Sequence, residues 1–207
     1  QRLFRYRSLI QTLVVRELKA RYRGSVLGFF WSFVNPLLLL LVYTFVFSVV
    51  LRGFRPVDIG GPYALFLFCG LLPWIWFSSA LLESSNSLIV GGGLIKKVLF
   101  PAEVLPIVAV LSNMIHFLLA LPVLTVFLIY YRASLSLGEV AWFPLVILVQ
   151  LTLTLGLALL LSALTVHFRD LKDLLGNLLT LWFFSTPIIY PMAMVPAGGK
   201  FFMDLNP

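Results

Sequence analysis

Five stretches of this chain carry no Asp, Glu, Lys or Arg for the length of a membrane-crossing helix or close to it, roughly residues 26–51, 62–82, 104–131, 141–166 and 174–190. A bilayer's hydrocarbon core takes about 20 apolar residues per helix. Backbone at that depth has no water to bond, so such stretches fold as helices whose hydrogen bonds are internal. The fifth stretch is the shortest. Composition agrees, with 61% hydrophobic residues, 11% charged residues and a mean hydropathy of +1.04, far from the usage of soluble domains. The expected fold class is all-α, a polytopic membrane protein with one transmembrane domain over residues 1–207. The first stretch is too long for a secretory signal, lacks a small-residue cleavage site and follows about 25 residues of charged sequence. Cys69, the single cysteine, excludes a disulfide scaffold and a cysteine-rich metal site.

The net charge of +7 is informative through its distribution. With the N-terminus cytosolic, Arg2, Arg5, Arg7, Arg16, Lys19, Arg21, Arg23, Lys96, Lys97, Arg169 and Lys172 fall inside, and only Arg52, Arg55, Arg132 and Lys200 fall outside. Cytosolic loops of membrane proteins are enriched in Lys and Arg, which supports this orientation. The expected location is the cytoplasmic membrane, multi-pass. Basic residues so placed meet headgroups and orient the chain, and no nucleic-acid partner is expected.

Ahead of the first span, Thr12, Arg16, Lys19 and Arg23 share a narrow helical arc, while Leu9, Ile10, Leu13, Val14 and Leu18 occupy much of the remainder. This predicts an amphipathic interface helix within residues 1–25, its basic stripe toward headgroups or solvent. Glu17 and Arg21 form an i,i+4 pair on it, and Gly24 allows the chain to turn into the span. Prolines at 36, 73, 106, 122 and 187 punctuate the apolar stretches, which is tolerated where helices pack or line a cavity. In "STPIIYPMAMVP", three prolines within ten positions are too many for a continuing helix, so a broken or re-entrant outer segment is expected over 187–207.

No G-x-x-x-x-G-K-[ST] loop occurs, and the glycines of "IVGGGLIKK" have the wrong spacing with no preceding strand, so the chain does not cradle ATP phosphates in that way. Nor does an acidic residue sit at mid-span, as a proton- or sodium-driven carrier would need. Energy is expected from a partner. The inner loop from Glu83 to Glu103 holds Leu88, Ile89, Leu94 and Ile95, which need a surface to bury against: the interface helix, lipid or another protein. Arg169 and Asp170, between the fourth and fifth spans, are expected to satisfy each other's charge, with Asp170 or Asp173 capping the fifth helix. Asn113 and His116 lie at i and i+3 in the third span, a pattern for interhelical hydrogen bonds.

"RELKARYRGSVLGFFWSFVNPLL", "NSLIVGGGLIKKVLFPAEVLPIVAVLSNMIHF", "VHFRDLKDLLGNLLTLWFFSTPIIYP" and the closing "NP" resemble, in order and over nearly the whole chain, the permease subunits of type-2 ABC exporters of polysaccharides, O-antigens and teichoic acids. The resemblance implies two permeases paired with two cytosolic ATPases that bind ATP and Mg, a lipid-linked glycan substrate, and no cofactor or covalent chemistry in this chain. It implies a sixth span after Pro207. It makes 83–103 a coupling loop, with Asn86, Leu88, Ile89, Leu94 and Ile95 meeting the ATPase. It places Arg21 and Arg23 where they would draw in the diphosphate of the substrate, with Tyr22 and Trp31 near its first sugars. Tyr43, Phe47 and Phe66 are the expected aromatic wall of the pathway. An exporter of drugs or small lipids and an ATPase-independent carrier are the alternatives.

Overall fold

The computed structural model describes residues 6–46, 50, 62–93, 101–133 and 136–196. Six α-helices make up most of them: α1 (Arg7–Arg21), α2 (Trp31–Phe45), α3 (Tyr63–Val90), α4 (Val104–Tyr130), α5 (Leu137–His167) and α6 (Leu171–Ser185). Three of these, α3, α4 and α5, are long and apolar enough to cross a membrane, while α2 is a shorter apolar helix. This is the architecture of an all-helical integral membrane protein.

Helix α3 is the hub, packing against α4 and α5 along most of its length. Its Leu67, Phe68, Leu71, Leu72, Trp76, Ala80 and Leu81 are buried, and they meet Val110, Phe117 and Ala120 of α4, Ala158 of α5 and Leu175, Leu179 and Phe183 of α6. Hydroxyls within the helices fold back onto their own backbone: Thr125 onto Leu121 O at 3.0 Å, Thr154 onto Gln150 O at 2.7 Å and Thr165 onto Leu161 O at 2.7 Å. Bonding of that kind removes polar atoms from an apolar surrounding without needing water.

Helix α1 lies on the start of α4. Leu13 and Val14 are buried against Val104 and Val108, flanked by Leu9, Ile10, Leu18, Leu111 and Ile115. Its apolar face is thus covered by protein, and Arg16 and Lys19 stay exposed. The helix ends at Arg21, so Arg23 lies beyond it and does not extend the basic arc. Gly24 and Gly28 then adopt φ of +80° and +50°, the left-handed conformation open to glycine at little cost, and a short 3-10 turn (Gly28–Phe30) leads into α2.

Two boundaries differ from the sequence reading. The second span was expected to give way to a loop at Glu83, but α3 runs unbroken to Val90. The polar run that suggested a loop is compatible with helix because Ser84, Ser85 and Ser87 bond carbonyls three residues back, at 3.1, 2.8 and 2.7 Å. Gly91 terminates it. The fifth apolar stretch ends as helix α6 at Ser185 rather than near 190, since Thr186, which precedes Pro187, is extended (φ −97°, ψ 136°). The chain from Pro187 then folds back as a turn and a 3-10 turn (Met192–Met194). Ile188, Ile189 and Val195 are buried, the Tyr63 hydroxyl donates to Ile189 O at 2.9 Å, and Ile188 packs over Gly70, 3.2 Å from where a Cβ would stand. Through Pro196 this is the broken segment expected; residues 197–207 lie outside the described residues.

Candidate functional site

At the α1 end of the bundle a cavity of about 400 Å³ opens between α1 and the first three bundle helices. Regular helical spacing builds its walls. Helix α3 contributes Leu72, Ile75, Trp76 and Ser79, helix α4 contributes Asn113, His116, Phe117 and Ala120, and helix α2 contributes Ser32, Asn35 and Pro36. The first two sets are i, i+3, i+4, i+7 stripes, one face of each helix. Arg21, Tyr22, Ser25 and Trp31 close the cavity from the α1 side.

Two consecutive residues tie α1 to three helices. Arg21 Nη2 donates to Glu83 Oε2 at 2.5 Å and Nη1 to Asn113 Oδ1 at 3.3 Å. Asn113 Nδ2 donates to that same Glu83 oxygen at 2.6 Å and to Ala109 O at 2.9 Å. Next along the chain, the Tyr22 hydroxyl hydrogen-bonds the Ser32 hydroxyl, and both reach His116 Nδ1, at 3.1 and 3.2 Å. Trp31 Nε1 donates to Ser25 Oγ at 2.9 Å, holding its indole over the opening. Trp76 stacks on Phe117 with ring centroids 5.0 Å apart and planes 21° from parallel, and its buried Nε1 has no hydrogen-bond partner among the described residues.

The arrangement presents binding groups: hydrogen-bond donors and acceptors, one guanidinium and aromatic faces. Ser32 and His116 stand within hydrogen-bond reach of each other, but Nδ1 is shared with Tyr22, Nε2 faces the same Tyr22 hydroxyl at 3.5 Å, and Glu83 is engaged by Arg21 and Asn113, so among the described residues no carboxylate orients the ring. Among the described residues no three His, Cys, Asp or Glu side chains gather as a metal site requires. What remains is one guanidinium, several neutral donors and acceptors, and flat aromatic faces. That set suits an anionic group attached to a polyhydroxylated ring, whose apolar C–H faces stack on aromatic planes.

A second cleft, of about 680 Å³, lies next to it, walled by Leu13, Arg16 and Glu17 of α1, the Leu82–Val90 end of α3, the start of α4 and Lys172 of α6. A third, apolar groove of about 550 Å³ runs between α3, α5 and the Trp182–Ile188 stretch.

The family profile of the ABC-2 type transporters matches residues 8–207. The chain belongs to this family. Among curated ABC-2 relatives, the O-antigen export system permease protein RfbA of Myxococcus xanthus is 45% identical over 207 residues, covering 99% of this chain and 77% of that protein. A protein of the same name from Klebsiella pneumoniae is 37% identical, covering 96% and 75%. The polysialic acid transport protein KpsM of Escherichia coli is 25% identical, covering 96% and 76%.

Of the residues picked out in this ABC-2 chain from sequence, Arg21, Tyr22 and Trp31 meet at the cavity, whereas Arg23 is exposed and does not line it. Asn86 lines the second cleft. Leu88 is half-buried, and Ile89 is exposed at the helix end beside Val90; Leu94 and Ile95 lie outside the described residues. Tyr43 packs against the core and Phe66 lies 6.3 Å from the Tyr63 ring, but neither lines any of the three cavities; Phe47 lies outside the described residues. The expected Arg169–Asp170 ion pair does not form, both being exposed in the turn before α6; Asp170 does hold the N-cap position, without a side-chain bond, and Asp173 lies in the first turn, while the ion pair among the described residues is Arg21–Glu83. That pair also replaces the expected Glu17–Arg21 contact. The interhelical bonding expected of Asn113 and His116 is present, and the partners are the new information. Ser32, Asn35, Trp76 and Ser79 of the cavity wall, and Glu83 as the partner of Arg21, are not assigned to a site by the sequence. The i, i+3, i+4, i+7 run from Asn113 to Ala120 was the available signal for a shared face.

Proposed function

We propose that this chain is the transmembrane subunit of an ATP-driven exporter that carries a lipid-linked polysaccharide of the O-antigen, capsule or teichoic acid type outward across the cytoplasmic membrane. The observation that carries this reading is the cavity at the α1 end, where a guanidinium adjoins hydroxyl, amide and imidazole groups and two tryptophans, in a chain whose relatives are named for O-antigen export and polysialic acid transport. Arg21 receives the diphosphate of the carrier, and Tyr22, Trp31 and Trp76 meet the first sugars. The α1 end faces the cytosol, in keeping with the excess of Lys and Arg there.

Residues 1–207 act as a single permease domain with an interface helix, a coupling segment at 83–103 and an outer segment at 187–207. ATP and Mg are bound by a separate cytosolic ATPase, present in two copies beneath two copies of this chain, and this chain itself performs no covalent chemistry. Exposed Ile89 and Val90 at the end of α3 suit a partner groove. Closure of the ATPases then pushes on a helix that runs without a break from that contact to the cavity wall. Replacing Leu88 and Ile89 together with Asp is expected to abolish copurification with the ATPase; undiminished copurification rejects the coupling assignment. Deleting the transporter is expected to trap the polymer in the cytosol, and normal surface polymer in that strain rejects the export reading.

A further inference from the structure

Arg21 is the only Lys or Arg lining the 400 Å³ cavity among the described residues, and it is already engaged. It forms a triangle with Glu83 and Asn113, in which Arg21 and Asn113 both donate to Glu83 Oε2. Glu83 itself borders the neighbouring 680 Å³ cleft, whose walls also carry Arg16 and Glu17 of α1 and Lys172 of α6, two cations to one other carboxylate. The ion pair therefore stands between two cavities, one cation-lined on each side. Its side chains are 34% and 29% exposed, so an anion in solution reaches the guanidinium without unfolding anything.

We propose that, within the exporter reading above, Glu83 is the counter-ion that an anionic substrate headgroup displaces from Arg21, and that the freed carboxylate turns to Arg16 and Lys172, signalling an occupied cavity to the Asn86–Ile89 end of α3.

Three physical points carry this. A phosphate offers more charge and more acceptor oxygens than a carboxylate and binds guanidinium through two parallel hydrogen bonds, whereas a partly exposed ion pair contributes little; exchange therefore favours a diphosphate. Next, Asn113 is 3% exposed and anchored to Ala109 O, so it stays while Glu83 moves, and the link between α3 and α4 at this depth is broken. Finally, a carboxylate released at an apolar boundary needs a new partner, and Arg16 and Lys172 line the cleft it already borders. Glu83 precedes Asn86 by less than one turn of an uninterrupted helix, so a shift at one is felt at the other.

The test uses the full permease with its ATPase in lipid nanodiscs, following ATP hydrolysis against added polyprenyl diphosphate. Hydrolysis by the unaltered complex rises with the probe. Glu83→Gln removes the competing charge, so labelled polyprenyl diphosphate half-saturates the nanodiscs at about a fifth of its former concentration in a direct binding measurement, yet the rise in hydrolysis is lost. Arg21→Glu combined with Glu83→Arg preserves the ion pair but turns a carboxylate to the cavity, so the probe no longer stimulates. A purely structural pair behaves otherwise, with the swap restoring the response. That restoration, a Glu83→Gln curve superimposed on the unaltered one, or failure of both variants to assemble overturns the exchange while leaving the exporter reading intact. If the unaltered complex ignores polyprenyl diphosphate, the headgroup reading falls and the exchange falls with it.

Discussion

Around the 400 Å³ cavity every helix that borders it contributes a polar side chain bonded across to another helix, through Arg21–Glu83–Asn113 and Tyr22–Ser32–His116. The 550 Å³ groove between α3, α5 and the Trp182–Ile188 stretch is built the opposite way. Its lining is aromatic and aliphatic, and its two polar side chains turn to backbone carbonyls, Gln150 to Pro73 O at 2.8 Å and Thr186 to Trp182 O at 2.9 Å. Trp74, Phe77, Trp182 and Phe183 interlock there with ring centroids 5.2 to 6.2 Å apart. The contrast teaches where recognition can reside. Side chains that bond one another across helices can trade partners with a ligand, while donors already committed to their own or a neighbouring backbone carbonyl offer a ligand less.

Four substitutions break or sharpen that contrast. The largest effect is expected from Phe77→Ala, which removes a buried ring from the aromatic cluster and costs about 3–5 kcal/mol. The midpoint of thermal unfolding falls by several degrees, while the half-saturating polyprenyl diphosphate concentration does not move; a change in binding would show that the groove also recognises substrate. Arg21→Ala inverts the pattern. Loss of charge-assisted hydrogen bonds worth about 1.5–3 kcal/mol lowers surface polymer by about tenfold or more, with ATPase assembly retained, and an equal loss from Lys19→Ala would reduce Arg21 to an anchor.

Gly91→Ala tests the α3 end, because a Cβ there would stand 2.2 Å from Leu105 Cδ1 and 2.9 Å from Ser87 O. Overpacking of about 1–3 kcal/mol is expected, seen as a lower yield of the ATPase complex; normal assembly would mean the segment after Val90 is free to move. The smallest effect is expected from Tyr63→Phe, which removes the bond to Ile189 O and costs about 1 kcal/mol. It should speed proteolysis of the segment after Pro187 without altering probe binding.

How far the cavity was legible follows from which contacts are local. Arg21, Tyr22 and Trp31 were visible because they crowd one short basic stretch at a span boundary, and Asn113 with His116 because polar residues inside an apolar run are conspicuous. Glu83 was not. From sequence it marked the end of a span, since charge stops an apolar count, and nothing in the chain says that a helix continues through it with its serines bonded inward. Tyr43 and Phe66 stand out in the sequence by residue type and depth, which do not fix the face of a helix a ring occupies; neither ring lines the three cavities within this chain.

The sequence by itself determined the helical character, the approximate position of each apolar helix and the basic end of the bundle, because burying backbone in hydrocarbon is a length requirement that any window of residues satisfies or fails alone. Only the tertiary structure decided that Arg21 pairs with Glu83, 62 residues away, and not with Glu17 four residues away, and that one carboxylate stands between two cavities. Ion pairing is chosen by distance in space and by what else surrounds each charge, and both are properties of packed helices rather than of neighbouring letters.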